Sequence, residues 1–327
     1  MKKILLATTI LSMSAGFAAA DVAVSGDARM GIVSTDGNSV FSSRVRFKFS
    51  GSGTTDGGLA FGGSARADNA SGASGGTAGS VFISGAFGKI SMGDVDGGDQ
   101  ASVGQLASVG WDGAGYGNSI SYASDGGKLG TGNDGDYAGT GGAKVLYTYS
   151  SGALTVNAST GQLSSGDANY QAYGVGAAYT TGGMTLAVGY GSNSIEATAG
   201  DIEGATGSIT DISASASYTM GATTIKAIYQ DKSADVTFED AVLNLGSAVS
   251  MGASVAHKID AVSVTAYTIS TNITSDLAEI DATINRMGVG VGYDLGGGAS
   301  FSAGWAQLDV LDGESANKMD VGVNFSF

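Results

Sequence analysis

From residue 21 to the last residue, apolar and polar side chains alternate in blocks near the roughly ten residues of a tilted membrane strand, separated by breaks rich in glycine, serine and aspartate. Val22, Val24, Ala28, Met30 and Ile32 share one parity, with Ser25, Asp27 and Arg29 on the other. Phe41, Val45, Phe47 and Phe49 likewise oppose Ser42, Arg44, Arg46, Lys48 and Ser50. Side chains alternate across a strand, so each block has one greasy face and one wet face. The blocks at 22–32, 41–50, 59–66, 81–87, 89–94, 143–150, 153–160, 170–181, 184–191, 210–220, 223–230, 247–257, 261–269, 286–295, 298–308 and 318–327 predict about sixteen strands. The last reads MDVGVNFSF and ends on an aromatic, Phe327, suited to a membrane interface.

The breaks fall into two classes in strict alternation. Short ones lie at 52–56, 88, 151–152, 181–183, 221–222, 258–260 and 296–298; long ones lie at 34–40, 68–78, 95–142, 161–169, 192–209, 231–246, 270–285 and 309–317. A single antiparallel meander closed into a barrel has this signature, with every second hairpin on the side that holds both termini. Counting the strand-like 119–123 as wall would reverse the sidedness of every later connection, so it is assigned to the connection 95–142. Phe49, Tyr149, Tyr179, Tyr218, Tyr293 and Phe327 form an expected aromatic belt at the short turns, and Phe41, Phe61, Tyr173, Tyr190, Tyr229 and Trp305 a second one toward the long loops.

Composition sharpens this picture. The chain has no proline among 327 residues despite 56 glycines, as long paired strands require. Lys2 and Lys3 precede a short apolar run closed by three alanines at 18–20, the pattern of a signal peptide over residues 1–20. Beyond it no apolar run approaches a membrane helix, so a membrane-embedded chain must cross with strands. Without those lysines the chain is more negative than its full-length formal charge of −15, which argues against nucleic acid as a partner. One histidine, His257, and no cysteine leave nothing to assemble a hydrolytic dyad or triad. An adhesive surface protein is the remaining alternative to a channel.

Three cations at 44, 46 and 48 on the buried face of a soluble sandwich would be untenable; on the inner face of a barrel they meet water. About sixteen strands enclose an aqueous lumen, and the connection 95–142 is long enough to narrow it. Residues 82–98, FISGAFGKISMGDVDGG, resemble the segment of alphaproteobacterial, Rhodobacter-type general diffusion porins that leads into a loop folded inside the barrel. The resemblance covers the whole chain and implies an all-β, closed antiparallel transmembrane barrel over 21–327, with 95–142 as a constriction loop in its lumen. It implies an outer-membrane channel, not an enzyme, for passive diffusion of small hydrophilic solutes and ions.

Carried onto this sequence, the family's charged eyelet would place Arg29, Arg44, Arg46, Lys48 and Arg66 as a basic wall facing Asp94, Asp96, Asp99 and Asp112 on the loop. No cofactor is required, but Asp134 and Asp136 resemble part of an oxygen-ligand loop, so calcium is a possible structural ion. The resemblance further implies a homotrimer embedded in lipid and lipopolysaccharide, and a barrel-assembly machinery that reads Phe327.

Overall fold

The computed structural model describes residues 21–68, 79–111, 117–125, 144–165, 168–200, 203–239, 241–309 and 315–327. The expected signal peptide and Asp112, Asp134 and Asp136 lie outside them. Sixteen strands follow in order: β1 (Asp21–Thr35), β2 (Asn38–Thr54), β3 (Ala60–Asp68), β4 (Gly79–Gly85), β5 (Gly88–Gly93), β6 (Lys144–Ser151), β7 (Leu154–Ser165), β8 (Ala168–Thr181), β9 (Met184–Ala197), β10 (Thr206–Met220), β11 (Thr223–Phe238), β12 (Ala241–Ile259), β13 (Val262–Ser275), β14 (Ile280–Gly296), β15 (Ala299–Asp309) and β16 (Ser315–Ser326). Each pairs antiparallel with its sequence neighbours, and β1 pairs with β16 to close the ring, leaving no free edge. Closure continues past the ladder: Gly26 N–H donates to Phe327 O at 2.6 Å and Phe327 N–H to Gly26 O at 2.9 Å.

Parity sorts the two faces as the alternation requires. Val22, Val24, Met30, Phe47, Phe49, Val188, Tyr190, Ile212, Met251 and Val289 are exposed on the outer surface, where an apolar solvent stands in for a protein core. The segment 119–123 is not in the wall.

Several expected long loops are mostly strand. The break at 34–40 contracts to a turn at Asp36 and Gly37, whose φ of 47° and 85° match a mirror-image hairpin turn that follows the twist of its strands. The break at 231–246 is largely occupied by β11 and β12, and 270–285 by β13 and β14. Beyond the apolar band both faces meet water, so hydrophobic alternation ends while backbone pairing continues. Polar cross-strand pairs hold these extensions, including Asn244 Nδ2 to Asp235 at 2.9 Å and Ser247 to Thr274 at 2.8 Å. One belt position also moves: Phe61 stands opposite Gly53 beside the short turn before β3, not toward the long loops.

Candidate functional site

The segment between β5 and β6 contributes half of the packed apolar cluster inside the described protein. Val103, Leu106, Val109, Ile120 and Tyr122 pack on Ala187, Ile228, Tyr267, Ile269 and Ala306 of the wall. Val188, Tyr229 and Val289 face outward at the opposite parity, so this contact is on the barrel's inner side.

A six-residue helix, α1 (Gly98–Val103), opens the seam against β7 to β10. It has no side-chain cap of its own, and the wall and loop supply partners for its orphan amides and carbonyls. Gly97 N–H donates to Asp125 Oδ1 at 2.7 Å and Gly98 N–H to Ser159 Oγ at 2.8 Å. At the other end, Val103 O accepts from Ser215 Oγ at 2.9 Å and Lys226 Nζ at 2.5 Å. The approach is close enough to demand glycine on the wall: a Cβ at Gly189 would stand 2.8 Å from Asp99 Cα, and one at Gly191 2.1 Å from Asp99 Oδ2.

The returning stretch 117–125 is fastened residue by residue. Arg286 Nη1 donates to Ser119 O at 2.9 Å, Gln230 Nε2 to Ser121 O at 3.0 Å, and Lys232 Nζ to Ser121 Oγ at 3.1 Å. The Gln105 amide and the Ile120 backbone exchange two bonds of 2.8 Å, and Tyr122 OH donates to Gly104 O at 2.6 Å. Lys144 pairs with Asp125 at the foot of β6. At the far end, Trp111 N–H donates to Asp320 Oδ1 on β16 at 2.8 Å. The loop therefore covers an arc of the inner wall running from β7 round to β16.

The expected basic wall lies beyond this arc on β1 to β3, where the described loop residues reach it at Arg29, whose guanidinium carbon stands 5.0 Å from the centroid of the Trp111 ring. Arg29, Arg44, Arg46, Lys48 and Arg66 all take the inner parity of β1, β2 and β3, and register draws them together: Arg29 is opposite Arg44, and Lys48 opposite Arg66. Asp27, opposite Arg46, pairs with Arg44 Nη2 at 3.1 Å. Half a turn of the sixteen-stranded ring separates β2 from β10, so α1 and the basic strands occupy opposing sectors.

The loop acids divide. Asp94 and Asp96 are exposed, and Asp96 Oδ1 accepts from Gln100 Nε2 at 2.9 Å. Asp99, expected to face the lumen, is instead fully buried against the wall. Its Oδ1 accepts from the Ser124 hydroxyl and from Gln100 N–H at 2.9 Å, while Oδ2 crowds the same point above Gly191 as Asp211 Oδ1. Burial and the charge of Asp211 push the Asp99 carboxyl up to about 7, against the opposing pull of its hydrogen bonds. Burial likewise pushes the Tyr122 phenol up, aided by the nearby Asp99. Among the described residues no group of three or more His, Cys, Asp or Glu side chains gathers as a metal site.

Sequence reasoning missed the wall's side of this seam: Asp211, Lys226, Gln230, Lys232, Arg286 and Asp320. A signal existed for its apolar part, since Tyr267 and Ile269 on β13 and Ile228 on β11 interrupt the polar inner parity.

A family model described as Gram-negative porin matches residues 7–326. A porin of Rhodobacter capsulatus is 45% identical over 178 residues, 52% of this chain and 56% of that porin, so the match spans little more than half of that relative. A porin structure refined at 1.8 Å superposes with a TM-score of 0.71 at 33% identity, covering 94% of this chain and 100% of that one. The trimer form of OmpT from Vibrio cholerae superposes at 0.73 with 17% identity over 94% and 99% of the two chains, a likeness of fold. With a family model matched along nearly its whole length, this chain belongs to the Gram-negative porins.

Proposed function

We propose that this protein forms a water-filled channel of the outer membrane through which small hydrophilic solutes and ions diffuse passively, and that the passage between the basic wall and the exposed side of the loop is its constriction. The observation that carries the reading is the sorting of charge round the ring: five cations on β1 to β3, facing the sector of α1, with the exposed Asp96 leading into that helix and the exposed Asp94 at the end of β5, where its N–H bonds Gly79 O of β4. Opposed charges across a narrow passage set up a transverse field that orients water and polar solutes and disfavours apolar ones. No bond is made or broken, so selectivity rests on width and on that field.

The same reading takes 1–20 as a cleaved export signal, lipid and lipopolysaccharide as the surroundings, and Phe327 as the residue read by the assembly machinery. It takes the assembly as a homotrimer. β4 and β5 have 7 and 6 residues, reaching roughly 20–24 Å even when untilted, less than the ~25 Å apolar band. Neighbouring copies would shield this low sector of wall.

Planar-bilayer recording tests the constriction. Replacing Arg44 and Arg46 together by glutamine shifts the reversal potential toward cation preference, and Asp94→Asn with Asp96→Asn shifts it toward anions. Both shifts shrink near 1 M salt, where the screening length falls to about 3 Å. Unchanged selectivity in both double variants at low salt, with folding intact, would remove these residues from the constriction.

A further inference from the structure

Arg286 projects from the inner face of β14 into the seam between the wall and the returning stretch of the loop, and is 7% exposed. A guanidinium keeps its proton in a protein, so its charge is buried with it, at a cost of several kcal/mol unless something compensates. Elsewhere in the seam an acid compensates: Lys144 pairs with Asp125, and the buried Lys232 shares the field of Asp211. Arg286 has no acid in register. Its direct partners are Ile269 on β13 and Leu308 on β15, and its diagonal neighbours on the same face include Tyr267, Thr271 and Ala306. Among the described residues its one hydrogen bond runs from Nη1 to the Ser119 carbonyl at 2.9 Å.

Two donors remain beside it. Arg286 Nε and the Tyr267 hydroxyl are both buried without a hydrogen-bond partner among the described residues. Tyr267, 4% exposed, leans across the ladder onto β14: a Cβ on Gly288 would stand 2.5 Å from its Cε1 and 3.0 Å from its Cζ. Gly288 is two residues from Arg286 on the same face, so a ring over that glycine has its hydroxyl beside the guanidinium. Arg286 is the charge that acts on this phenol, and the phenol is the titratable group that acts on Arg286.

A cationic N–H and a hydroxyl, both buried and both lacking an acceptor, match an anion. The surroundings limit which one. Ile269 and Ala306 are fully buried beside the pair, and Val109 lies over Gly288, so the setting is apolar and closed. A divalent anion would be desolvated there at greater cost and only half neutralised by one guanidinium. A compact monovalent ion fits, and a halide accepts from donors in any direction.

We infer that Arg286 Nε–H and the Tyr267 hydroxyl hold a single halide, chloride in the conducting channel, as the counter-charge that seats the stretch 117–125 on β13 and β14. The site lies under the loop, apart from the basic wall, so it stands whether or not β1 to β3 form the constriction.

Crystals of the full-length porin grown in potassium bromide should show an anomalous peak in contact with both Arg286 Nε and the Tyr267 hydroxyl. In solution, hydrogen exchange of 117–125 is followed in mixtures of potassium chloride and potassium gluconate at constant ionic strength. Protection should rise about tenfold as chloride climbs to about ten times its dissociation constant, as linkage requires of an ion bound to the seated loop alone. Tyr267→Phe keeps the ring and removes the donor, and should flatten that rise. Arg286→Gln needs no counter-ion and should abolish it; if that variant does not fold, the phenylalanine variant carries the test. Water in place of bromide, bromide confined to the basic wall, or parent protection indifferent to chloride overturns the inference. So does a chloride dependence that survives Tyr267→Phe unchanged, because the ion would then bind elsewhere.

Discussion

Lowering the pH tightens the seat of the loop, and Asp99→Asn abolishes that dependence. Asp99 stands at about 7 in the seated loop against an ordinary 3.8, a difference of three units, or roughly 4 kcal/mol between its protonated and charged forms. Because the seated value is raised, its stabilising contribution is fully present below pH 3.8 and is lost as the pH climbs through 7. Above that point the seam holds a desolvated carboxylate next to Asp211. An asparagine there keeps an acceptor for Ser124 and for Gln100 N–H, and its amide N–H can point to Asp211. At pH 8 the variant should therefore protect 97–103 and 119–125 from hydrogen exchange by up to about a thousandfold more than the parent, the factor that three units represent. At pH 4 the two should match. Exchange corrected for its intrinsic pH dependence reads this directly, and Asp211→Asn should lower the midpoint, because that neighbouring charge is the second cause of the shift. Parent protection that is flat or rises between pH 5 and 8, or an asparagine variant that keeps the parent's slope, would refute a protonated Asp99 in the seam.

Gly191→Ala puts a Cβ 2.1 Å from Asp99 Oδ2 and 2.6 Å from Asp211 Oδ1, so the loop must lift while the wall still closes; single-channel conductance and current noise should change in a heat-modifiable barrel, and unaltered traces would contradict the close seating. Deleting Phe327 removes two backbone bonds to Gly26 and an edge-on contact with Phe47 at 5.8 Å, together about 2–3 kcal/mol at the seam that closes the ring. The folded, heat-modifiable fraction should fall, and an undiminished yield would show that closure does not depend on this residue.

The wall was legible because membrane and water impose opposite demands on the two faces of every strand, leaving an alternation that survives in single blocks such as 41–50. Register follows from it: once Phe47 and Phe49 face outward, Arg44, Arg46 and Lys48 have nowhere to go but inward. The strand extensions at 231–246 and 270–285 were illegible for the converse reason, since both faces there are wet and only backbone pairing defines the strand. The seam lay deeper still. Lys226, Lys232 and Arg286 share the inner parity of the basic wall, and nothing in their local sequence distinguishes a cation that meets water from one that meets a loop carbonyl. Asp96 and Asp99 are three residues apart in one acidic stretch, yet a short helix with no periodicity to announce it leaves one in solvent and buries the other.

That division bears on what the channel prefers. The chain is strongly acidic as a whole, with a formal charge of −15, and a reading from net charge would make it a conduit for cations. The loop, however, occupies the arc that carries Lys226, Lys232, Arg286 and Asp211, and binds their side chains to its own backbone amide and carbonyl groups. On β1 to β3, outside the arc from β7 to β16, the inner parity carries Arg29, Arg44, Arg46, Lys48 and Arg66, countered in register by Asp27. On the proposed constriction, selectivity follows the position of the loop against the wall, and a variant that re-seats the loop should alter it without changing a single pore-facing charge. Gly191→Ala is such a variant. A shift in its reversal potential would tie selectivity to loop position, and an unchanged potential alongside altered conductance would mean that the wall sets the field by itself.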